Sequence, residues 1–155
     1  MYTVQLEPIT VDFARDADAL ALLSRAAICK AIPEADAMPP YMIKWDQYLT
    51  VHDTILSATA RDFDDDSLLG FIIYNVYEHP HHAGMIVGFC TIIMSHPEHR
   101  GEGIGKAMCA FMEPHLKAAG VTTVLHGHRL MYNTKPMFES LGYSLVDHIY
   151  AKEIA

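Results

Sequence analysis

The sequence has no long hydrophobic run and little positive charge. No uncharged apolar stretch approaches the roughly 18 residues that a membrane-spanning helix requires. The opening stretch MYTVQLEPIT lacks the basic-then-apolar order of a secretory signal. We therefore expect a cytoplasmic protein that has no membrane partner.

Basic residues are outnumbered, with 11 Lys and Arg against 19 Asp and Glu and a formal net charge of −8. Domains that bind nucleic acid usually present a basic face, so a nucleic acid is not expected as a partner. The acidic balance slightly favours a cationic partner, although acidic surfaces mostly serve solubility.

Cysteine is also scarce, and no CxxC pair is present. Cys29, Cys90 and Cys109 lie far apart within apolar segments, which predicts buried, reduced thiols. The ten histidines include HPHH, HPEH and HGH, but neither HExxH nor a Cys/His ligand set accompanies them, so no metal site is predicted. The sequence has no internal repeat or compositional break, and 155 residues with 51% hydrophobic content predict a single domain over residues 1–155.

Hydrophobic periodicity in the first half predicts a strand, a helix and a hairpin. YTVQLEPI is typical of a strand, and Thr10 or Asp12 is placed to cap the helix that follows. A short amphipathic segment passes through Trp45. DTILSATARDF and SLLGFIIYNVYE flank the acidic turn DDD and predict an antiparallel hairpin.

The second half begins with MIVGFCTIIM, an unbroken apolar run that predicts the central strand, covered on both faces. A helical stripe then runs from Ile104 to Ala119 and ends at Gly120, with Pro114 expected to kink the helix. VTTVL and YSLVDHIYAKEI predict two more strands, and NTKPMFESLG predicts a short helix between them. The order predicts a mixed α/β sheet with helices on both faces.

Residues 96–105, HPEHRGEGIG, lie at the junction of that apolar strand and the helix after it. The first N–H groups of a helix lack intrahelical partners and carry the positive end of its dipole. Glycines at 101, 103 and 105 remove side chains that would keep a phosphate at a distance, and Arg100 and Lys106 add positive charge. The spacing is neither Walker A nor Rossmann. The segment predicts a pyrophosphate-binding loop; the alternative is a purely structural glycine turn that binds nothing.

RGEGIG preceded by HPEH resembles motif A of the GCN5-related N-acetyltransferases, and NTKPMFESLGY resembles the late helix of that superfamily. The resemblance implies an α/β fold with a mixed, mostly antiparallel sheet of about six strands and a V-shaped splay between strands four and five. It implies acetyl-CoA as co-substrate and transfer of the acetyl group to a primary amine by direct attack. The acceptor would be a small molecule or a protein amine.

The same resemblance implies which residues bind the co-substrate. Backbone groups of Ile93 and Met94 would hold the pantetheine arm, and Asn133 would contact the co-substrate where strands four and five separate. The residues implied for the pyrophosphate are Arg100, Gly101, Gly103, Ile104, Gly105 and Lys106.

The general base and acid of the reaction are less apparent, because MIVGFCTIIM carries no Glu, Asp or His. The base candidates elsewhere are Glu78, His79, His126 and His128. We prefer His126, since it is expected to end strand five beside the splay and can titrate near neutrality.

Phe138 stands where many relatives carry the tyrosine that acts as general acid. Tyr132 or a water molecule would then substitute, or the thiolate would leave unassisted, as its pKa near 8.5 allows. Phe138 also favours an alternative function, a catalytically impaired acyl-CoA-binding module that serves as a sensor or an assembly component. An open sheet edge makes a homodimer plausible.

Overall fold

In the computed structural model of the protein, the described residues are 1–32, 42–50, 54–127 and 134–146. The elements in chain order are β1 (Tyr2–Leu6), α1 (Val11–Ala31), α2 (Trp45–Thr50), β2 (Ile55–Asp62), β3 (Leu68–Glu78), β4 (Ile86–Ser95), a 3-10 turn (Pro97–His99), α3 (Ile104–Ala118), β5 (Thr123–His126) and α4 (Lys135–Ser140). None of the helices in these ranges is long and apolar enough to cross a membrane.

The strands form one mixed sheet in the order β1-β2-β3-β4-β5. The first four strands pair antiparallel, including the predicted β2–β3 hairpin, and β5 pairs parallel with β4. The described sheet therefore has five strands rather than about six. Of the predicted last strand, residues 143–146 are not in a strand and the remainder lies outside the described residues.

The middle strand of this sheet is β3, not β4 as the sequence analysis predicts. Every residue of β3 from Leu69 to Tyr74 is buried, because helices cover both faces. On one face α1 packs Phe13, Ala17 and Leu20 against the sheet residues Phe71, Ile73 and Ile92. Thr10 caps this helix as predicted, since its hydroxyl accepts the N–H of Phe13 at 3.1 Å.

On the other face, α3 contributes the predicted apolar stripe. Ile104, Met108, Met112 and Leu116 are buried in a cluster with the β3 residues that face them, whereas Ala119 is exposed. The helix runs without interruption from Ile104 to Ala118 although Pro114 lies inside it, and Gly120 follows with the positive φ of 83° that a C-terminal glycine provides.

The pairing of β4 with β5 ends halfway along β4. Cys90 pairs with His126 as the last rung, and β4 continues to Ser95 with no strand partner on that side among the residues described. The β3–β4 register shifts at the same place, so that Thr91 is an extra residue in β4. All four residues of β5 pair with β4, and the chain from residue 128 to 133 lies outside the described residues, so the splay between strands four and five stays a prediction.

Arg61 anchors the far edge of the sheet to α1. Its guanidinium is almost fully buried and forms a salt bridge of 2.7 Å with Glu7 and another of 3.4 Å with Asp16. Burial by itself would raise the pKa of Glu7, but the hydrogen bonds from Arg61 and Thr59 outweigh that effect and lower it. The carboxylate therefore stays charged and paired in the folded protein.

Candidate active site

The loop between β4 and α3 is held by its own side chains. The Nδ1 atom of His96 accepts the backbone N–H of Glu98 at 3.3 Å, at the start of the 3-10 turn. The Nδ1 atom of His99 lies 3.1 Å from the carboxylate of Glu102. These contacts hold the loop in place without using the backbone N–H groups at the beginning of α3.

Two glycines of this loop adopt a conformation that other residues rarely adopt. Gly101 has φ of 92° and Gly103 has φ of 82°, and a Cβ atom built on either would meet no atom of the described residues within 4 Å. The space beside both residues is therefore open. Gly103 precedes α3 and has no side chain to cap it, so, within the described ranges, the first N–H groups of the helix face an anion site rather than a capping side chain.

Gly105 is packed tightly. A Cβ atom there would come within 3.3 Å of the Sδ atom of Met137 and 3.7 Å of the Cδ1 atom of Ile93. The start of α3 therefore lies directly against α4 and the end of β4. Ile93 packs on the α3 face and Met94 on the α1 face. Both belong to the part of β4 that extends past its last pair with β5, so the predicted loop and strand residues come together at one place.

His126 is the last residue of β5, as predicted, and it lies in an aromatic cage. Its ring centroid is 4.6 Å from that of Phe138, 4.9 Å from that of Tyr143 and 5.5 Å from that of Tyr74. Its Nε2 atom is 3.0 Å from the hydroxyl of Tyr74. Its Nδ1 atom is buried and has no hydrogen-bond partner in the part of the chain that the structure describes.

Burial lowers the pKa of His126 to about 4. The expectation that this side chain titrates near neutrality is therefore wrong, because solvation of the imidazolium is lost inside the cage. The ring is neutral at physiological pH, and one of its nitrogens carries a lone pair that can accept a proton.

Sequence reasoning did not identify Tyr74 as a partner of His126. Burial raises the pKa of Tyr74 and also raises that of Tyr143, to about 12, so both phenols keep their protons at neutral pH. The nearby Cys109 thiol also contributes to the raised pKa of Tyr74. A tyrosine within the apolar run FIIYNV could have indicated the contact, since a buried tyrosine hydroxyl usually finds a partner.

The two cysteines near the site are not activated. Cys90 pairs with His126 in the sheet, and burial raises the pKa of its thiol. Burial also raises the pKa of Cys109, to about 11. Both are buried free thiols, as predicted, and Cys29 is half-buried and free. A protonated thiol is a poor nucleophile, so neither Cys90 nor Cys109 is suited to carry an acyl group.

The structure places the base candidates Glu78 and His79 away from this site. Glu78 accepts the N–H of Gly84 at 3.1 Å within the β3–β4 turn, and His79 follows it there. Glu78 pairs with Ile86 at the start of β4, at the opposite end of the strand from the glycine loop. His128, Tyr132 and Asn133 lie outside the described residues.

Solved structures share this fold at low sequence identity. A ribosomal-protein-alanine N-acetyltransferase from Brucella melitensis biovar Abortus 2308 is 21% identical, with 99% of each chain covered and a TM-score of 0.66. A glucosamine-6-phosphate N-acetyltransferase from Arabidopsis thaliana is 12% identical, with 99% of each chain covered and a TM-score of 0.68. A transcriptional regulator from Bacillus halodurans C-125 is 11% identical, with 98% of this chain and 100% of that chain covered and a TM-score of 0.73. These similarities concern the fold alone.

No curated protein matches the sequence significantly. The sequence model of the acetyltransferase (GNAT) family, however, matches residues 20–143, a range that includes the glycine loop, His126 and α4. The matched range covers most of the chain and every described element of the candidate site. The chain belongs to the acetyltransferase (GNAT) family.

Proposed function

We propose that this protein is an N-acetyltransferase that transfers an acetyl group from acetyl-CoA to a primary amine by direct attack of the amine. Family membership supports acyl transfer in general. The observation that carries the proposal is the open turn at Gly101 and Gly103, which leads into the start of α3 beside the part of β4 that extends past β5. Acetyl-CoA supplies the reaction with an acyl group activated as a thioester.

Each part of the loop has a physical reason to bind the co-substrate. Gly101 and Gly103 let the pyrophosphate approach the backbone, and the N–H groups of Ile104, Gly105 and Lys106 lie in the first turn of α3, where the helix dipole favours negative charge. Arg100 and the Lys106 side chain add positive charge. The edge of β4 at Ile93 and Met94 offers backbone groups to the pantetheine arm, and in this proposal Asn133 completes the site.

In this proposal His126 takes the proton that the amine loses, through its Nδ1 atom. Nδ1 holds a lone pair when Nε2 carries the ring proton and donates it to the Tyr74 oxygen. The low pKa keeps the ring free of a second proton at neutral pH. A backbone N–H of β4 stabilises the negative charge that develops on the carbonyl oxygen. Tyr132 protonates the departing thiolate.

Direct attack is supported by the state of the thiols near the site. A route through an acyl-enzyme would need an activated nucleophile, and burial keeps Cys90 and Cys109 protonated. The acceptor amine therefore attacks the thioester itself in this proposal.

The experiment is a calorimetric titration with acetyl-CoA, followed by an assay of CoA release against a panel of primary amines. We expect binding and turnover with at least one amine. Binding without CoA release on any amine would favour the binding module instead. Absence of binding would mean that the glycine loop is only a turn.

The matched variants are Gly103→Asp and Gly84→Asp. Gly84 also has a positive φ, 77°, and open space around its Cβ position, but it lies in the β3–β4 turn. Both variants impose similar backbone strain, whereas only Gly103→Asp places a carboxylate where the pyrophosphate would lie. We expect Gly103→Asp to weaken acetyl-CoA binding by at least about tenfold and Gly84→Asp to leave it unchanged. Equal affinities in the two variants would overturn the placement of the pyrophosphate.

A further inference from the structure

The strand β1 has a free edge in the described part of the chain. It lies at one end of the order β1-β2-β3-β4-β5 and, among the described strands, pairs with β2 alone. Natural sheet edges are commonly protected from other chains by charged side chains, by proline or by a bulge. The sequence of β1, YTVQL, contains neither a charge nor a proline, and its register with β2 has no shift. This edge is therefore open to pairing.

Hydrogen bonds at the two ends of β1 show which of its backbone groups lie on that edge. The N–H of Phe63 donates to the carbonyl oxygen of Met1 at 3.0 Å, and the N–H of Glu7 donates to the carbonyl oxygen of Ser57 at 3.2 Å. Residues that exchange such bonds alternate along an antiparallel strand, so the odd-numbered residues of this segment bond to β2. The backbone groups that point away from β2 belong to the even-numbered residues Tyr2, Val4 and Leu6.

These three residues are spaced so that β1 can pair with β1 of a second copy of the chain. In an antiparallel arrangement centred on Val4, Val4 lies opposite Val4 and Tyr2 lies opposite Leu6, on both sides of a twofold axis. Each of the three residues then donates its N–H and accepts through its carbonyl oxygen. A contact that uses the same surface of both copies closes after two of them, so it produces a dimer.

The side chains of β1 fit the same arrangement. Tyr2, Val4 and Leu6 lie on one face of the strand, and on that face Tyr2 and Val4 pack against the core cluster that contains α3. Leu6 is 46% exposed, and in the pair it would lie beside Tyr2 of the other copy. On the opposite face Thr3 would meet Gln5, so no like charges oppose each other within the paired strands.

The free edge of β1 also lies close to the glycine loop. The hydroxyl of Tyr2 donates to the carbonyl oxygen of Glu102, the residue between Gly101 and Gly103, at 3.5 Å. In the pair described above, Leu6 of the second copy would lie beside this tyrosine. A dimer would therefore place a side chain of each copy next to a residue that contacts the glycine loop of the other.

We propose that the free edge of β1 is a docking surface for a second copy of this chain, which pairs with it strand to strand across a twofold axis. The proposal does not depend on the proposed function. So short a pairing buries less than the roughly 1,600 Å² of a standard interface, and copies with a net charge of −8 repel each other. We therefore expect a weak dimer with a Kd on the order of 100 μM, and added salt should lower that Kd by screening the repulsion.

The experiment is sedimentation equilibrium of the full chain from about 20 μM to about 1 mM, at low and at high salt. The first variant, Val4→Pro, removes the N–H that would donate at the twofold axis. In the single chain that N–H points away from the sheet, where an edge strand tolerates proline. We expect Val4→Pro to raise the Kd of the dimer at least about tenfold. A wild type that stays monomeric over this range, or an unchanged Kd in a folded Val4→Pro, would overturn the proposal.

A matched pair of variants tests the same interface if Val4→Pro does not fold. Leu6→Lys and Leu22→Lys each replace an exposed leucine and change the net charge equally, but Leu22 lies on α1 and is 69% exposed. The added positive charge reduces the repulsion in both, so Leu22→Lys should associate at least as strongly as the wild type. Leu6→Lys loses its contact with Tyr2 on both sides of the axis and should raise the Kd at least about threefold. Equal Kd values in the two variants would overturn the proposal.

Amide hydrogen exchange, measured by NMR on 15N-labelled protein, shows whether the dimer uses this edge. The N–H groups of Val4 and Leu6 should exchange at least about threefold more slowly at about 1 mM than at about 20 μM. The N–H groups of Thr3 and Gln5 donate to β2 in both states, so their exchange should not depend on concentration. A dimer in which Val4 and Leu6 exchange at the same rate at both concentrations would use another surface and would overturn the proposal.

Discussion

Acid should destabilise this protein through His126, and replacement of that residue should remove the effect. His126 is held neutral inside the cage formed by Tyr74, Phe138 and Tyr143, where burial lowers its pKa to about 4. In the unfolded chain a histidine titrates near 6.5. The unfolded state therefore binds a proton at a pH where the folded state does not.

The sign and size of the effect follow from these two pKa values. Above about pH 6.5 the ring is neutral in both states, so the full contribution to stability is present, and it is lost as the pH falls toward about 4. The two pKa values differ by about 2.5, which corresponds to about 3 kcal/mol of the free energy of unfolding between a pH well above 6.5 and a pH well below 4. Between about pH 7.5 and pH 4.5 the loss is about 2.5 kcal/mol of the free energy of unfolding.

The assay is urea unfolding at several pH values, followed by the fluorescence of Trp45. This is the single tryptophan of the chain, and its ring centroid lies 5.7 Å from that of Phe13 and 6.4 Å from that of Phe71. Its emission therefore reports the core packing between α1, α2 and β3. The test variant is His126→Gln, which keeps a polar partner for Tyr74, and the control is His81→Gln in the exposed β3–β4 turn.

We expect the free energy of unfolding of the wild type and of His81→Gln to fall by the same amount between neutral pH and about pH 4.5. Over the same interval, His126→Gln should lose about 2 to 3 kcal/mol less than the wild type. An identical pH dependence in His126→Gln and the wild type would refute the reasoning, because it would mean that His126 is as easily protonated in the folded state as in the unfolded one. The same variant tests the proposed base: its kcat should fall while its Kd for acetyl-CoA stays unchanged.

Other substitutions probe the packing that positions the site, and each is measured by the same unfolding assay. Arg61→Met should cost about 3 to 5 kcal/mol, because Glu7 would keep a buried charge without its cation, and adding Glu7→Gln should recover part of the loss. Met112→Ala should cost about 2 to 5 kcal/mol, since its side chain is fully buried. Leu22→Ala, at a residue that is 69% exposed, should change stability by less than about 0.5 kcal/mol. Thr10→Ala should cost about 1 kcal/mol through loss of the α1 cap.

Local signals in the sequence predict the elements of this fold well. The apolar stripe of α3, the cap at Thr10 and the hairpin around DDD all depend on residues that are close together in the chain. The glycine loop is of the same kind, because positive φ at Gly101 and Gly103 is a local property that glycine signals directly. The resemblance to a family adds what local signals lack, the overall α/β arrangement of a mixed, mostly antiparallel sheet between helices.

The order of strands and the pairing of side chains across them are not local properties. The apolar run in β4 predicts a central strand, but the middle strand of the sheet is β3. That strand is equally apolar and has helices packed on both of its faces. The low pKa of His126 is not predicted from the sequence for a similar reason. Its cage is built from β3, α4 and the segment after α4, and sequence spacing does not show that these rings meet.

Asn75 illustrates how a missed residue could have been found. Asparagine is depleted in strands, and FIIYNVYE places it within an apolar one, where its buried Oδ1 atom has no hydrogen-bond partner among the described residues. A tyrosine precedes it, so two polar groups occupy successive positions and point to opposite faces of β3. One of them is satisfied by His126, and the other opens onto a cavity. The two successive polar residues in FIIYNVYE therefore indicate a polar group on each face of β3 at this point, because successive side chains of a strand point to opposite faces.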